Sequence, residues 1–151
     1  MTHAKDFTVE SLVSENEQVI QSLKTIDKNT AESLWFDWKF WARPSQLPPV
    51  GDWRTWLIMA GRGFGKTRTG TEWIRSRVGN KYRRIALIGK TPASVRDIMI
   101  EGESGLIACS PEWDKPLYEP TKRRLTWKNG AVALAFSSHE PDHLRGVQFD
   151  T

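Results

Sequence analysis

The amino-acid sequence predicts an α/β domain, in which a parallel-core sheet of the P-loop type is flanked by helices. Two continuous apolar runs, "WLIMA" at 56–60 and "IALIG" at 85–89, have the composition of strands buried on both faces of a parallel sheet. Between them a glycine-rich loop leads into a stretch with helical periodicity, residues 66–78. The inner face of that helix is predicted to consist of Gly70, Trp73, Ile74 and Val78.

A helical N-terminal segment is predicted before this domain. Apolar residues recur at helical spacing between Thr8 and Ile26, and "TAESLWFDWKFWA" at 30–42 forms a second helical stretch. The following "RPSQLPPVGDW" contains three prolines and a glycine, which end the helical pattern. We therefore predict two parts, a helical segment over 1–42 and the α/β domain over 43–151.

Local signals continue the predicted fold beyond the second strand. Thr91 and Pro92 suit the N-cap and first position of a helix over "PASVRDIMIEG". Asn129-Gly130 lies between two alternating apolar segments, "RLTW" and "AVALAF", and is a strong signal for a β-hairpin. The sheet is therefore expected to continue to about Phe136.

Composition excludes several classes of protein. Cys109 is the single cysteine and there are three histidines, so neither a disulfide framework nor a cysteine-rich zinc cluster is available. The sequence lacks an apolar run of membrane-spanning length and the apolar core of a signal peptide. We therefore expect a protein of a reducing cytosol with no membrane partner.

The charge of the chain is uneven. Residues 35–151 hold 19 Lys and Arg against 12 Asp and Glu, which favours an anionic partner. Two basic clusters, at 75–84 and 122–128, supply much of this charge, and Trp127 lies among the second. Basic and aromatic residues together are typical of nucleic-acid surfaces, although a solvated surface is the alternative for either cluster.

The glycine-rich loop has the sequence "AGRGFGKT" at 60–67, and Gly61–Gly65 is called the glycine loop below. The end of the phosphate-binding pattern G-x-x-x-x-G-K-[ST] is matched by Gly65-Lys66-Thr67, but its opening position is Ala60, so the first glycine comes one residue late. The loop follows a predicted strand and opens a predicted helix. That context favours a phosphate site over the alternative, a glycine-rich turn with an exposed lysine.

The residue types of the loop suit a polyphosphate bound with Mg²⁺. Glycines allow the backbone N–H groups of residues 61–67 to converge on an anion without Cβ collisions, and the helix N-terminus adds partial positive charge. Lys66 is predicted to reach the β and γ phosphates, and the Thr67 hydroxyl to bind Mg²⁺. The predicted binding residues of the loop are Gly61, Arg62, Gly63, Phe64, Gly65, Lys66 and Thr67.

The displaced glycine, with Arg62 ahead of Gly-Lys-Thr, resembles the variant Walker A loop of large terminase subunits, the DNA-packaging motors of viruses. The resemblance continues through "GKTPASVRDIMIEGESGL" and "RRLTWKNGAVALAFSSHEPDHLRGVQFD", and covers about residues 35–151. It implies a phage ATPase that uses ATP and Mg²⁺ to translocate double-stranded DNA into a procapsid. It also implies the portal protein and the small terminase subunit as partners, a homo-oligomeric ring, and action in the host cytoplasm and transiently at the portal vertex.

The resemblance implies roles for individual residues. Arg62 and Lys66 would be catalytic, with Arg62 stabilising transition-state charge in cis, and Gln46 would contact the adenine edge. The alternatives are a surface arginine and a loop glutamine bonded to backbone. Arg145-Gly146 resembles a pair that precedes the Walker B strand of the family.

One part of the family pattern is missing from the 151 residues. In the family, the segment after "LRGVQFD" continues into an apolar strand ending in Asp-Glu, and a nuclease domain follows. We therefore expect an incomplete ATPase domain that does not hydrolyse ATP by itself. Two alternatives stay open: a truncated, non-catalytic module that binds nucleotide or DNA, and another P-loop enzyme such as a helicase-like protein.

Overall fold

The computed structural model describes residues 26–78 and 83–150. The chain divides into two compact units, the first ending at Asp37 and the second beginning at Trp38. The helix predicted between Thr8 and Ile26 lies almost entirely outside the described residues. No helix within the two described ranges is long and apolar enough to cross a membrane.

The described part of the first unit is a short helix, α1, Lys28–Trp35. Asp27 is its N-cap, and the carboxylate accepts hydrogen bonds from the backbone N–H groups of Asn29 and Thr30. The prediction of one helix over 30–42 is wrong, because the Phe36 N–H closes α1 on the carbonyls of Glu32 and Leu34. The next helix begins only at Trp38.

The second unit contains both helices and strands. Its helices are α2 (Trp38–Trp41), α3 (Lys66–Arg77), α4 (Pro92–Ser94) and α5 (Leu106–Cys109), with a π-helix at Val95–Ile100 directly after α4. Its strands are β1 (Arg84–Gly89), β2 (Leu117–Glu119), β3 (Arg124–Thr126) and β4 (Val132–Ser137). Short 3-10 turns lie at Pro44–Gln46, Pro120–Lys122 and Pro141–Leu144.

The four strands form one mixed sheet in the order β1-β4-β3-β2. β1 and β4 are parallel, with Arg84 opposite Val132 and Gly89 opposite Ser137, whereas β3 is antiparallel to both β4 and β2. The prediction of β1 is confirmed, and so is the hairpin at Asn129-Gly130, where Gly130 has a φ of +83°. Thr91 caps α4 as predicted, with Pro92 in the first position.

The predicted strand at 56–60 does not form, and this corrects the expected parallel core. Leu57 and Met59 are 75% and 84% exposed and alternate with half-buried neighbours, as in a strand with one covered face. A strand also needs a hydrogen-bonded neighbour, and none of the four strands in the described chain pairs with this segment. The parallel part of the described sheet is therefore the single pair β1 and β4.

The hydrophobic core lies on one face of the sheet. Ile85 and Leu87 of β1 point into it, whereas Ile88 on the opposite face is 47% exposed, so β1 is not covered on both sides as predicted. The π-helix and α5 cover the core face, and Ile74 and Val78 pack against it from α3 and the residue after it. This packing holds α3 in place and thereby positions its first residue, Lys66. The core residues are Ile85, Leu87, Val95, Ile100, Leu106, Leu125, Trp127, Ala131, Ala133 and Ala135.

Candidate nucleotide-binding site

The glycine loop leads directly into α3, and its conformation requires two of its three glycines. Gly63 and Gly65 have φ values of +83° and +88°, in the left-handed region that favours glycine. Gly61 has no such φ and has open space around its Cα. Ala60 does not have a positive φ either, since Arg123 is the only non-glycine residue with a positive φ in the described chain. Alanine is therefore compatible with the displaced position of the pattern.

Lys66 is the first residue of α3, and its side chain folds back over the loop. Its Nζ donates to the carbonyl oxygens of Ala60 at 2.9 Å and Gly61 at 2.8 Å. Of the carboxylates in the described chain, none forms an ion pair with Lys66. An ammonium has three donors, so one N–H remains for an anion beside the positive end of the helix dipole.

The two residues expected to act on either side of Lys66 are accessible. The Arg62 guanidinium is exposed, and neither a hydrogen bond nor an ion pair joins it to another described residue. Thr67 is half-buried, and its hydroxyl has no hydrogen-bond partner in the described ranges. Lys66 and Thr67 also line one end of a cleft of about 290 Å³, whose other walls include Leu87 and Leu106.

Gln46 lies against the glycine loop and is 6% exposed. Its Nε2 donates to the Phe64 carbonyl at 2.9 Å, and its Oε1 accepts from the Arg43 backbone N–H at 3.1 Å. The Arg43 side chain donates to the same Phe64 carbonyl at 2.6 Å, and its guanidinium lies 5.2 Å from the centre of the Phe64 ring. The structure thus brings Gln46 to the loop, and both ends of its carboxamide bond to backbone.

Two acidic residues, Asp150 and Glu101, could be considered in place of a Walker B pair, and each has another partner. The Asp150 carboxylate accepts from the N–H groups of Arg83 and Arg84 at 2.7 and 2.9 Å, at the amino end of β1, and these bonds lower its pKa. Glu101 lies 3.8 Å from Arg96. In the described part of the chain, no cluster of three or more His, Cys, Asp and Glu side chains could hold a metal ion.

Sequence reasoning missed a buried ion-pair cluster in α3, formed by Arg68, Glu72 and Arg75. The Glu72 carboxylate is 3% exposed and contacts Arg68 at 2.7 Å and Arg75 at 2.6 Å. Burial raises the pKa of Glu72, and the charges of Arg75 and then Arg68 oppose that rise. The i, i+4 and i, i+3 spacing of the three residues was the signal available in the sequence. The predicted inner face is therefore incomplete, since Thr69, Thr71 and Glu72 are the buried residues of α3.

In the basic cluster at 122–128, two of the cations are paired with a carboxylate. Glu119 binds both Lys122 and Arg124 at 2.6 Å, and the hydrogen bonds from these two cations lower the pKa of Glu119. Trp127 is 2% exposed and belongs to the core, so it is not available to a nucleic acid. Arg123 and Lys128 are the exposed cations of the cluster that have no ion pair in the described chain.

Residues 57–151, more than half of the chain, match the family model described as the N-terminal region of the terminase large subunit, T4likevirus type. The chain belongs to the large terminase subunit family. The matched region of this terminase contains the whole glycine loop and α3, whereas Arg43 and Gln46 precede it. No curated protein and no solved structure matches the terminase chain.

Proposed function

We propose that this terminase chain binds ATP with Mg²⁺ at the glycine loop, and that it does so as part of the motor that moves double-stranded DNA into a phage procapsid. The observation that carries the proposal is the Lys66 ammonium at the amino end of α3. The ammonium donates to two neutral carbonyls that precede Gly63 and Gly65, the two loop glycines with positive φ. No carboxylate in the described chain forms an ion pair with it. Family membership supports packaging as the process.

The contacts of Lys66 make it a suitable ligand for phosphate. Bonds from an ammonium to neutral carbonyls are weaker than bonds to an anionic oxygen, so the ammonium gains by exchanging Ala60 and Gly61 for phosphate oxygens. Thr67 would contribute its hydroxyl to the magnesium. Bound ATP supplies the phosphoanhydride bond to be hydrolysed, and its Mg²⁺ neutralises charge on the phosphates.

Arg62 is proposed to act on the charge that develops during hydrolysis. Its guanidinium is exposed and unpaired in the described chain, so it can turn toward the loop without breaking an existing interaction. A guanidinium presents several N–H groups in one plane, which suits the equatorial oxygens of a phosphoryl group in transfer.

A specific observation supports the second candidate, a module that binds nucleotide without turnover. Hydrolysis needs a carboxylate or amide that orients the attacking water. The Asp150 carboxylate is bonded to the backbone at the amino end of β1, and the Glu101 carboxylate lies 3.8 Å from Arg96. We therefore expect residues 1–151 to bind ATP and to release phosphate far more slowly than a complete packaging motor.

The proposed partners follow from family membership. They are double-stranded DNA, the portal protein, the small terminase subunit and further copies of the protein in a ring. The proposed place of action is the host cytoplasm and, transiently, the portal vertex of the procapsid.

Substitution of Lys66 tests nucleotide binding. In residues 1–151, Lys66→Ala should weaken ATP–Mg²⁺ affinity on the order of a hundredfold, because it removes charge-assisted hydrogen bonds to phosphate. Isothermal titration calorimetry measures this change. Lys128→Ala is the matched control, since Lys128 is an exposed lysine in the β-hairpin turn. Equal affinity of the Lys66→Ala variant and the wild type would exclude the loop as the phosphate site.

Substitution of Arg62 separates binding from chemistry. In the complete packaging motor, Arg62→Ala should lower kcat on the order of a thousandfold with little change in nucleotide affinity, because the guanidinium acts mainly on transition-state charge. Steady-state phosphate release and equilibrium binding give the two quantities. A variant that loses affinity but keeps its kcat would make Arg62 a ground-state phosphate contact instead.

A further inference from the structure

Three hydrogen bonds organise the contact between the glycine loop and the turn at Pro44–Gln46 with the residue before it. Two of them end on one atom, the Phe64 carbonyl oxygen, which accepts from Gln46 Nε2 at 2.9 Å and from Arg43 Nη2 at 2.6 Å. The third, from the Arg43 N–H to Gln46 Oε1, fixes the carboxamide itself. The orientation of the carboxamide is determined by its neighbours, because a backbone N–H can only donate and a carbonyl can only accept.

The Phe64 carbonyl is covalently coupled to the next amide of the loop. In a planar trans peptide the C=O of one residue and the N–H of the next point in opposite directions, and the described chain has no cis peptide bond. Holding the Phe64 carbonyl toward Arg43 and Gln46 therefore turns the Gly65 N–H away from them. That N–H has no hydrogen-bond partner in the described chain.

Close packing leaves little freedom at this peptide. A Cβ added to Gly65 would lie 2.9 Å from Gln46 Nε2, so the carboxamide is seated directly against the Gly65 backbone. The Arg43 guanidinium also lies over the Phe64 ring, so Phe64 is restrained through its side chain as well as through its carbonyl.

We infer that Arg43 and Gln46 are positioning residues that orient the Phe64–Gly65 peptide, so that the Gly65 N–H faces the phosphate of a bound nucleotide. This inference rests on the proposed function, because it assigns the clamp to a loop that binds phosphate. It gives Gln46 a role other than contact with adenine. Both polar atoms of its carboxamide already have backbone partners, and the residue is 6% exposed.

The nucleobase separates the two roles of Gln46. Inorganic tripolyphosphate has the phosphates of ATP and no base, so a residue that contacts adenine cannot alter its affinity. With residues 1–151, Gln46→Leu should weaken ATP, GTP and tripolyphosphate by a similar factor of about ten, the value of one lost hydrogen bond. Loss of affinity for ATP with unchanged affinity for tripolyphosphate would overturn the clamp.

A second pair of variants guards against misfolding of Gln46→Leu. Arg43 is exposed, and Arg43→Ala removes one of the two donors to Phe64 without changing the core. It should weaken all three probes severalfold at an unchanged thermal unfolding midpoint, and Arg43→Lys should recover part of the loss because it restores a donor. Ser45→Ala, in the same turn, is the control with wild-type affinity.

A measurement without ligand distinguishes failure of the clamp from failure of the proposed function. Hydrogen–deuterium exchange of a peptide covering residues 61–67 should be faster in Arg43→Ala and Gln46→Leu than in the wild type and Ser45→Ala. If the wild type binds none of the three probes, the proposed function fails, and the phosphate role of the clamp fails with it. If the probes bind and exchange is the same in all four proteins, the clamp alone is overturned.

Discussion

In α3, the charged side chains of Lys66 and Glu72 are stabilised by different kinds of partner. At the amino end, the exposed Lys66 ammonium is held by neutral carbonyls of Ala60 and Gly61. Six residues further on, the buried Glu72 carboxylate is held between Arg68 and Arg75. The first charge is satisfied by groups that an anion can replace, whereas the second is satisfied by full charges that cannot leave without a large cost.

This difference indicates which charged residues of the helix serve a ligand and which serve the fold. The ion-pair cluster lies beside the buried Cys109, whose thiol pKa is raised by burial, so the surroundings disfavour a thiolate. Arg68 also lies 5.7 Å from the centre of the Trp38 ring. Lys66, by contrast, is exposed to solvent. Variants at the two ends should therefore change different measured quantities.

The largest effect on folding is expected at the ion-pair cluster. Glu72→Ala should lower the free energy of unfolding by about 3–5 kcal/mol, because it leaves two guanidinium groups facing each other without the carboxylate. Chemical denaturation measures the change. Glu112→Ala is the control, since Glu112 forms an exposed pair with Lys115 and should contribute little. A stable Glu72→Ala variant with impaired ATP binding would reverse the comparison.

A smaller effect is expected where the loop meets α3. Gly65→Ala should lower the free energy of unfolding by about 1–3 kcal/mol, because alanine is strained at a φ of +88° and its Cβ would displace the Gln46 carboxamide. Gly61→Ala, with an ordinary φ and open space around it, should leave that free energy almost unchanged. Equal destabilisation by both substitutions would mean that the conformation of Gly65 is not what the loop requires.

The smallest expected effect is a pH dependence of stability from Glu72. Its pKa in the folded chain is raised above the ordinary value of 4.5, so folding favours the protonated carboxyl. The corresponding stabilisation is complete below the unfolded pKa and is lost as the pH rises through the folded pKa. The free energy of unfolding of the wild type relative to Glu72→Gln should therefore fall as the pH rises above about 4.5. A constant or rising difference would mean that the two arginines outweigh burial.

Local signals in the sequence were sufficient for several elements. Thr91 and Pro92 set the start of α4, Asn129-Gly130 sets the hairpin, and the apolar run at 85–89 forms β1. In each case the information lies within a few neighbouring residues: a capping hydroxyl, a turn that needs positive φ, or a continuous apolar strand.

The remaining features depend on partners that are distant in the sequence. The apolar run at 56–60 has strand composition, but strand formation requires a paired neighbour. Thr71 is buried in α3 because its hydroxyl donates to the Ser104 carbonyl at 2.8 Å, a partner 33 residues away. For the site, the loop and Lys66 were predictable from spacing, whereas the bonds from Arg43 and Gln46 to Phe64 required the folded chain.

The amino end of α3 and its glycine loop are proposed to form a polyphosphate site. Titration of ¹⁵N-labelled residues 1–151 with tripolyphosphate, followed by NMR, tests it most directly because it locates the bound anion residue by residue. We expect saturable changes concentrated at the amides of residues 61–67. The same titration of Lys66→Ala should produce much smaller changes there. Changes confined to the basic cluster at 122–128, or spread over the surface without saturation, would contradict the claim.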